Sequence, residues 1–146
     1  MSENRDEILI RAYNNNDEPG VVSLWTKIFP DSPRHNNFRD DIKRKSTTQG
    51  HLFLVAYHDS KLIGTAMAGF DGHRGWVYYV AVHPDYRLKG LGSRLMSKVE
   101  SGLEDLGCTK LNLQIRSSNA EVRAFYKNLG YTVEDRISMG KILSIS

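Results

Sequence analysis

The run Arg87-Leu88-Lys89-Gly90-Leu91-Gly92 sets two positive charges and two glycines directly ahead of what reads as the longest helix of the chain. The chemistry such a loop serves is the holding of an anion, above all a phosphate. Amides in the first turn of a helix have no intrahelical partner and carry partial positive charge, and glycine lets the backbone approach a ligand without a Cβ in the way. Arg87 and Lys89 add full charges beside them. The motif differs from two other phosphate cradles. A P-loop needs Gly-Lys-Ser/Thr after four intervening residues, which occurs nowhere, and a dinucleotide fingerprint wants Gly or Ala where Leu95 stands.

Other reactive residues lack the company that their chemistry requires. His35, His51, His58 and His83 have no metal-ligand spacing with one another or with Cys108, so no metal site is expected. There is no Gly-x-Ser-x-Gly elbow and no local signature of a nucleophilic cysteine, so covalent catalysis has no support. Asp71-Gly72 is a common hairpin-turn pair, whereas the neighbouring His73 and Arg74 are not required by a turn and stand as candidate acceptor-site residues together with Asp71.

These residues need a scaffold, and the chain is long enough to provide one. Its 146 residues are 40% hydrophobic and 25% charged, the composition of a globular domain. A chain of that length buries about 68–70% of its unfolded surface, so one domain spanning residues 1–146 is expected. The longest apolar run, Trp76 to Val82, is too short to span a membrane. The polar start Met1 to Glu7 lacks the order of a secretion signal, and with one cysteine the cytoplasm is the expected compartment. Net charge is +3. Its densest run, Lys43-Arg44-Lys45, follows Asp40-Asp41 and reads as a solvated helix face, which argues against nucleic acid as a partner.

Periodicity gives the elements. Ile8 to Tyr13 reads as a strand, followed by a helix capped by Asp17 with Pro19 in its first turn, and by turns at Asn14-Asn15-Asn16 and Asp31-Ser32-Pro33. A second helix spans Asn36 to Lys45, with Phe38 and Ile42 as a thin apolar stripe. Three antiparallel strands follow at His51 to Tyr57, Leu62 to Phe70 and Trp76 to Val82. Leu91, Leu95, Met96, Val99, Leu103 and Leu106 then mark an amphipathic helix from Gly90 that ends at Gly107. Lys110 to Ile115 is a strand, Ser118 to Leu129 a helix with a capping box from Ser118 to Glu121, and Tyr131 to Ile145 one or two closing strands. The class is α+β with a largely antiparallel central sheet.

At this point the sequence resembles the GNAT superfamily of acetyl-CoA-dependent N-acetyltransferases. Arg87-Leu88-Lys89-Gly90-Leu91-Gly92 fits its Arg/Gln-x-x-Gly-x-Gly/Ala motif, and Asn119 with Ala124-Phe125-Tyr126-Lys127-Asn128-Leu129-Gly130-Tyr131 fits its later Tyr-x-x-x-Gly-Tyr/Phe signature. The overall pattern is similar to small bacterial acetyltransferases near the ribosomal-protein alanine acetyltransferases. The resemblance implies a GNAT-like fold: a mixed, mostly antiparallel sheet of six to seven strands, splayed in the middle and flanked by about four helices. It implies acetyl-CoA as cosubstrate, with backbone amides of Leu88, Lys89, Gly90, Leu91, Gly92 and Ser93 on the pyrophosphate and Arg87 or Lys89 neutralising it. The main chain of Val80, Ala81 and Val82 would pair with the pantetheine arm, one of those amides polarising the thioester carbonyl, and Asn119 would bind the arm from the other side. Tyr126 would give a proton to the departing thiolate, whose thiol has a pKa near about 8.5.

The acceptor is expected to be a primary amine: a protein N-terminus, a lysine or a small amine. Many family members place a glutamate on the fourth strand to take the amine proton, but Trp76 to Val82 contains no carboxylate. Tyr78, Tyr79 and Phe38 are expected to line the acceptor side. A non-catalytic acyl-CoA-binding or sensing domain is the alternative, and a homodimer is left open.

Overall fold

The computed structural model describes residues 7–31 and 37–144. Strand β1 (Ile8–Ala12) is followed by helices α1 (Glu18–Ile28) and α2 (Phe38–Ser46) and by the meander β2 (Phe53–His58), β3 (Lys61–Phe70) and β4 (Gly75–Val82). Helix α3 (Leu91–Asp105), the short strand β5 (Leu111–Asn112) and helix α4 (Ala120–Asn128) complete the elements. The strands form one sheet in the order β1-β2-β3-β4-β5, antiparallel as far as β4 and parallel between β4 and β5. Ser32, Pro33, His35, Asn36, Ile145 and the polar start Met1 to Asp6 lie outside the described residues. No described helix is long and apolar enough to cross a membrane.

The two faces of β3, whose parity changes at the register shift opposite Ala56 and Tyr57, divide the core in two. Ile63, Ala66 and Ala68 face α3, whose Leu91, Leu95, Met96, Val99 and Leu103 are all buried on that side. Burying each of these large side chains contributes about 1.5–3 kcal/mol relative to exposure, so this stripe anchors α3. Leu62 and Met67 face the opposite way, against Val21, Leu24 and Trp25 of α1 and Ile42 of α2. Helix α3 stops where Gly107 takes φ +88°, with its amide on Glu104 O at 2.9 Å and the Cys108 amide on Leu103 O at 3.1 Å. Acidic Asp40 and Asp41 open α2, and Lys43, Arg44 and Lys45 close it, in the sense that the helix dipole favours.

Four expectations are corrected. Among the described residues the sheet has five strands rather than six to seven, because residues 131–144 carry no backbone ladder. Strand β5 holds only two residues, not Lys110 to Ile115, so it offers no edge on which further strands could build. The segment is fastened instead by side chains: Asn112 to Glu134 at 2.8 Å, Gln114 to Ser138 and the Lys110–Glu134 ion pair. Asp17 makes no side-chain cap for α1. It is buried and turned back to β1, where it pairs with Arg11 at 2.8 and 2.9 Å and accepts from the Tyr57 hydroxyl at 2.8 Å. Finally, α4 is capped by Asn119 rather than by a box from Ser118 to Glu121: Asn119 Oδ1 accepts from the Val122 amide at 3.1 Å.

Candidate active site

The sheet opens in its middle. Strands β4 and β5 pair only through Gly75↔Leu111 and Trp76↔Asn112. Gly75 permits this closure, since a Cβ there would stand 2.9 Å from both Cys108 Sγ and Leu103 Cδ1. From Val77 onward, no strand among the described residues lies along the outer edge of β4. Backbone groups on such an edge need partners, and an extended ligand carrying amides supplies them.

Within this open stretch β4 bulges. Met67 pairs with Tyr78 and Thr65 with Ala81, so Tyr79 and Val80 together oppose Ala66. Tyr79 adopts φ 53°, a left-handed conformation that a bulky side chain holds at a cost of about 1–3 kcal/mol. Its surroundings fix it there. The ring stacks on Trp25 at 3.9 Å, Phe29 and Phe38 stand edge-on to it, and its hydroxyl donates to Asp41 Oδ2 at 2.6 Å. Burial and the Asp41 bond push this phenol far above its ordinary range. Val80 and Val82 pack toward α3, whereas Ala81 is buried toward α1. The main chain of all three runs along the open edge.

The edge leads directly into the basic loop. After the turn at His83-Pro84-Asp85-Tyr86, Leu88 takes φ 63° with a fully exposed side chain, and Gly90 takes φ +80° as the N-cap of α3. The first helical bond is Arg94 N to Gly90 O at 3.0 Å, which leaves the amides of Leu91, Gly92 and Ser93 without a helical acceptor. No side chain caps them, and the first turn holds no acid. The two glycines have different reasons. A Cβ on Gly90 would meet nothing within 4 Å, so its backbone angle demands glycine; one on Gly92 would stand 2.9 Å from Phe125 Cζ, so it lets α4 pack against α3.

Composition gave no sign of what moors the loop. Tyr86 is bound to His58 Nδ1 at 2.6 Å, and Lys89 and Lys61 lie 5.7 and 6.0 Å from its ring centre. His83 Nδ1 accepts from the Asp85 amide at 3.1 Å. Burial, together with Lys61, Lys27 and Arg87, holds its pKa below the ordinary histidine value, which preserves it as an acceptor.

Tyr126 lies in the same core as Val80 and Val82, its ring buried against Phe125 at 4.9 Å and Tyr131 at 5.6 Å. Its hydroxyl has no hydrogen-bond partner among the described residues. Since no buried side-chain polar atom is left unpaired there, the hydroxyl reaches solvent. Burial pushes its pKa up to about 12, so it is a neutral donor at physiological pH. Asn119, expected beside the cofactor arm, is exposed, and its Oδ1 is engaged in capping α4.

The acceptor-side candidates separate. Phe38 lies edge-on to Trp25 and Tyr79, and Tyr78, whose partner Met67 belongs to the core under α1, is half exposed on that same face. Asp71 accepts from the His73 and Arg74 amides at 2.8 Å each and so builds the β3–β4 turn. Those bonds hold its carboxyl below the usual range, while burial and Asp71 raise the Tyr78 phenol. Arg74 bonds to the His73 carbonyl at 3.2 Å, and His73 is exposed. Among the described residues, no group of three or more His, Cys, Asp or Glu is arranged to hold a metal ion.

Comparison with known proteins gives this arrangement a family. The model of the acetyltransferase (GNAT) family matches residues 18–131. An acetyltransferase of Yersinia pestis (strain Pestoides F) is 40% identical over 136 residues, 93% of this chain and 96% of its own. One from Pectobacterium atrosepticum is 39% identical over 134 residues, 92% and 94% of the two chains. In fold, the chain is similar to Ard1 from Thermoplasma volcanium, with a TM-score of 0.78 at 20% identity over 87% and 84% of the two chains. It is also similar to the aminoglycoside N-acetyltransferase AAC(6')-Iy in complex with CoA, with a TM-score of 0.76 at 17% identity over 94% and 96%. The chain thus belongs to the acetyltransferase (GNAT) family.

Proposed function

We propose that the protein moves an acetyl group from acetyl-CoA directly to a primary amine. The observation that carries this reading is the continuity of the unpaired β4 edge with the uncapped amides of α3. The edge suits an extended, amide-bearing arm, and the amides suit the pyrophosphate at its end. In this reading the backbone of Leu88 to Ser93 holds the pyrophosphate, and Arg87 and Lys89 neutralise its charge. Val80, Ala81 and Val82 pair with the pantetheine through their main chain, and the free side of Asn119 meets it from α4. Tyr126, protonated and open to solvent at its tip, donates to the sulfur as the thioester opens.

The acceptor enters from the α1–α2 face, past Phe38 and Tyr78, with Asp71, His73 and Arg74 at the rim. A protein N-terminus, a lysine and a small amine all fit this entrance. The resemblance to ribosomal-protein alanine acetyltransferases supports including N-terminal peptides of ribosomal proteins in an acceptor panel. No residue of β4 is a carboxylate, and Asp41, which reaches toward it, is held by Tyr79 and Arg44. In this reading water takes the proton from the amine. That same observation favours the second reading, an acyl-CoA-binding domain without turnover. Thiol release from acetyl-CoA in the presence of peptide, lysine and polyamine acceptors separates the two. Release above the rate without protein supports transfer, and tight binding without release with any acceptor supports the binding domain.

A further inference from the structure

At the bulge in β4 the Tyr79 carbonyl is held by a side chain of β3. Thr65 Oγ1 donates to Tyr79 O at 2.7 Å and accepts from Trp25 Nε1 at 2.8 Å. Thr65 and Trp25 are both fully buried. The direction of this chain is fixed by chemistry: an indole N–H only donates, so the single proton of the Thr65 hydroxyl is left for the carbonyl. The three groups form one relay, Trp25 to Thr65 to Tyr79, across residues 40 and 14 positions apart in sequence.

The relay has a consequence for the next residue. The carbonyl of Tyr79 and the amide of Val80 belong to one planar trans peptide, in which they point in opposite directions. Holding the carbonyl against β3 therefore turns the Val80 N–H away from Thr65, toward the side of β4 that β5 has left. We propose that Thr65, backed by Trp25, is a positioning residue that aims the Val80 amide at the thioester carbonyl. The proposal rests on the acetyl-CoA reading above and adds to it the side chains that set one donor's direction. A preorganised donor needs this kind of support, because an amide free to rotate would lose most of its effect on developing charge.

The test uses the full chain, labelled with 15N, and follows the Val80 amide on addition of CoA and of acetyl-CoA. In the parent protein, acetyl-CoA shifts the Val80 proton downfield relative to CoA. Thr65→Ser retains the shift, Thr65→Val loses it, and CoA affinity is the same in all three. Turnover with an accepted amine falls about tenfold or more in Thr65→Val at unchanged acetyl-CoA KM, against the 10²–10³ known for outright loss of one oxyanion donor. Trp25→Phe keeps a ring on Tyr79 but removes the indole donor, and it carries the test if Thr65→Val does not fold; a reduced Val80 shift is expected. An equal Val80 shift with CoA and acetyl-CoA, or a parent-like shift in Thr65→Val or Trp25→Phe, overturns the relay alone. Absence of acetyl-CoA binding to the parent protein overturns the coenzyme reading and the relay with it.

Discussion

Tyr131 stands edge-on to Tyr126, ring centres 5.6 Å apart and planes at 79°, and one glycine places it there. Gly130 takes φ +98° just beyond α4, which sends the Gly130 amide to Lys127 O and the Tyr131 amide to Tyr126 O, both at 3.0 Å. This is the reversal that ends helices with a left-handed residue. Tyr131 is then tied to Glu100 of α3 at 2.5 Å. The Tyr-x-x-x-Gly-Tyr motif is thus a device that clamps the ring of Tyr126 and leaves its hydroxyl free.

Tyr126→Phe should lower kcat by about 10²–10⁴ while the acetyl-CoA affinity stays the same, because only a proton donor is lost. The parent hydroxyl makes no bond within the described protein, so thermal unfolding of the variant should match the parent. Steady-state kinetics beside a melting curve checks both.

The pH dependence of turnover should identify the acceptor class. Tyr126 remains protonated until near its pKa of about 12, so it does not limit the rate across the usual alkaline range. The rate should therefore rise with pH as the amine deprotonates, with a midpoint near about 8 for a protein N-terminus and near about 10.4 for a lysine. A profile that falls between pH 7 and 10 would contradict this assignment.

Gly92→Ala should destabilise the protein by about 1–3 kcal/mol, the usual result of forcing a methyl group into a filled space. Its Cβ would stand 2.9 Å from Phe125 Cζ. Denaturant titration without ligand measures this. A loss of coenzyme affinity in any Gly92 variant therefore includes displacement of α4, and charge variants at Arg87 and Lys89 are the cleaner probe of the loop.

Asp17→Asn should cost about 2 kcal/mol, below the range for a fully buried pair because the Arg11 side chain is 35% exposed. Burial alone would raise the Asp17 pKa, but Arg11, the Asn14 amide and the Tyr57 hydroxyl outweigh it and hold the carboxyl below its ordinary value. The stabilisation is thus complete above the unfolded carboxyl pKa, near about 3.9, and is lost as pH falls through the lower folded value. Unfolding free energy followed toward low pH should drop less in the variant than in the parent.

The anion loop was legible in the sequence because charge, glycine and helical period coincide within Arg87 to Leu95. The β2–β4 meander and the Tyr126–Tyr131 motif were legible for the same reason, each being a local pattern. The bulge was not. It lies at a tyrosine, a residue type that disfavours positive φ, and it is held by Thr65 and Trp25, whose contact spans 40 positions and leaves no local trace. Asp17 looked like a helix cap because caps and buried ion pairs use the same residue, and only the arrival of Arg11 and Tyr57 decides between them. The apolar residues after Tyr131 suggested strands, but a strand exists only with a partner edge, and β5 ends at Asn112.

The central claim is that the β4 edge and the loop before α3 hold acetyl-CoA. Calorimetric titration of the parent protein and of an Arg87→Ala, Lys89→Ala double variant with acetyl-CoA, beside ADP, tests it most directly. The account predicts one-to-one binding to the parent, weakened about tenfold or more in the double variant, since each charge-assisted phosphate contact is worth about 1.5–3 kcal/mol before solvent screening. No heat at millimolar coenzyme, or equal affinity in the double variant, would contradict it.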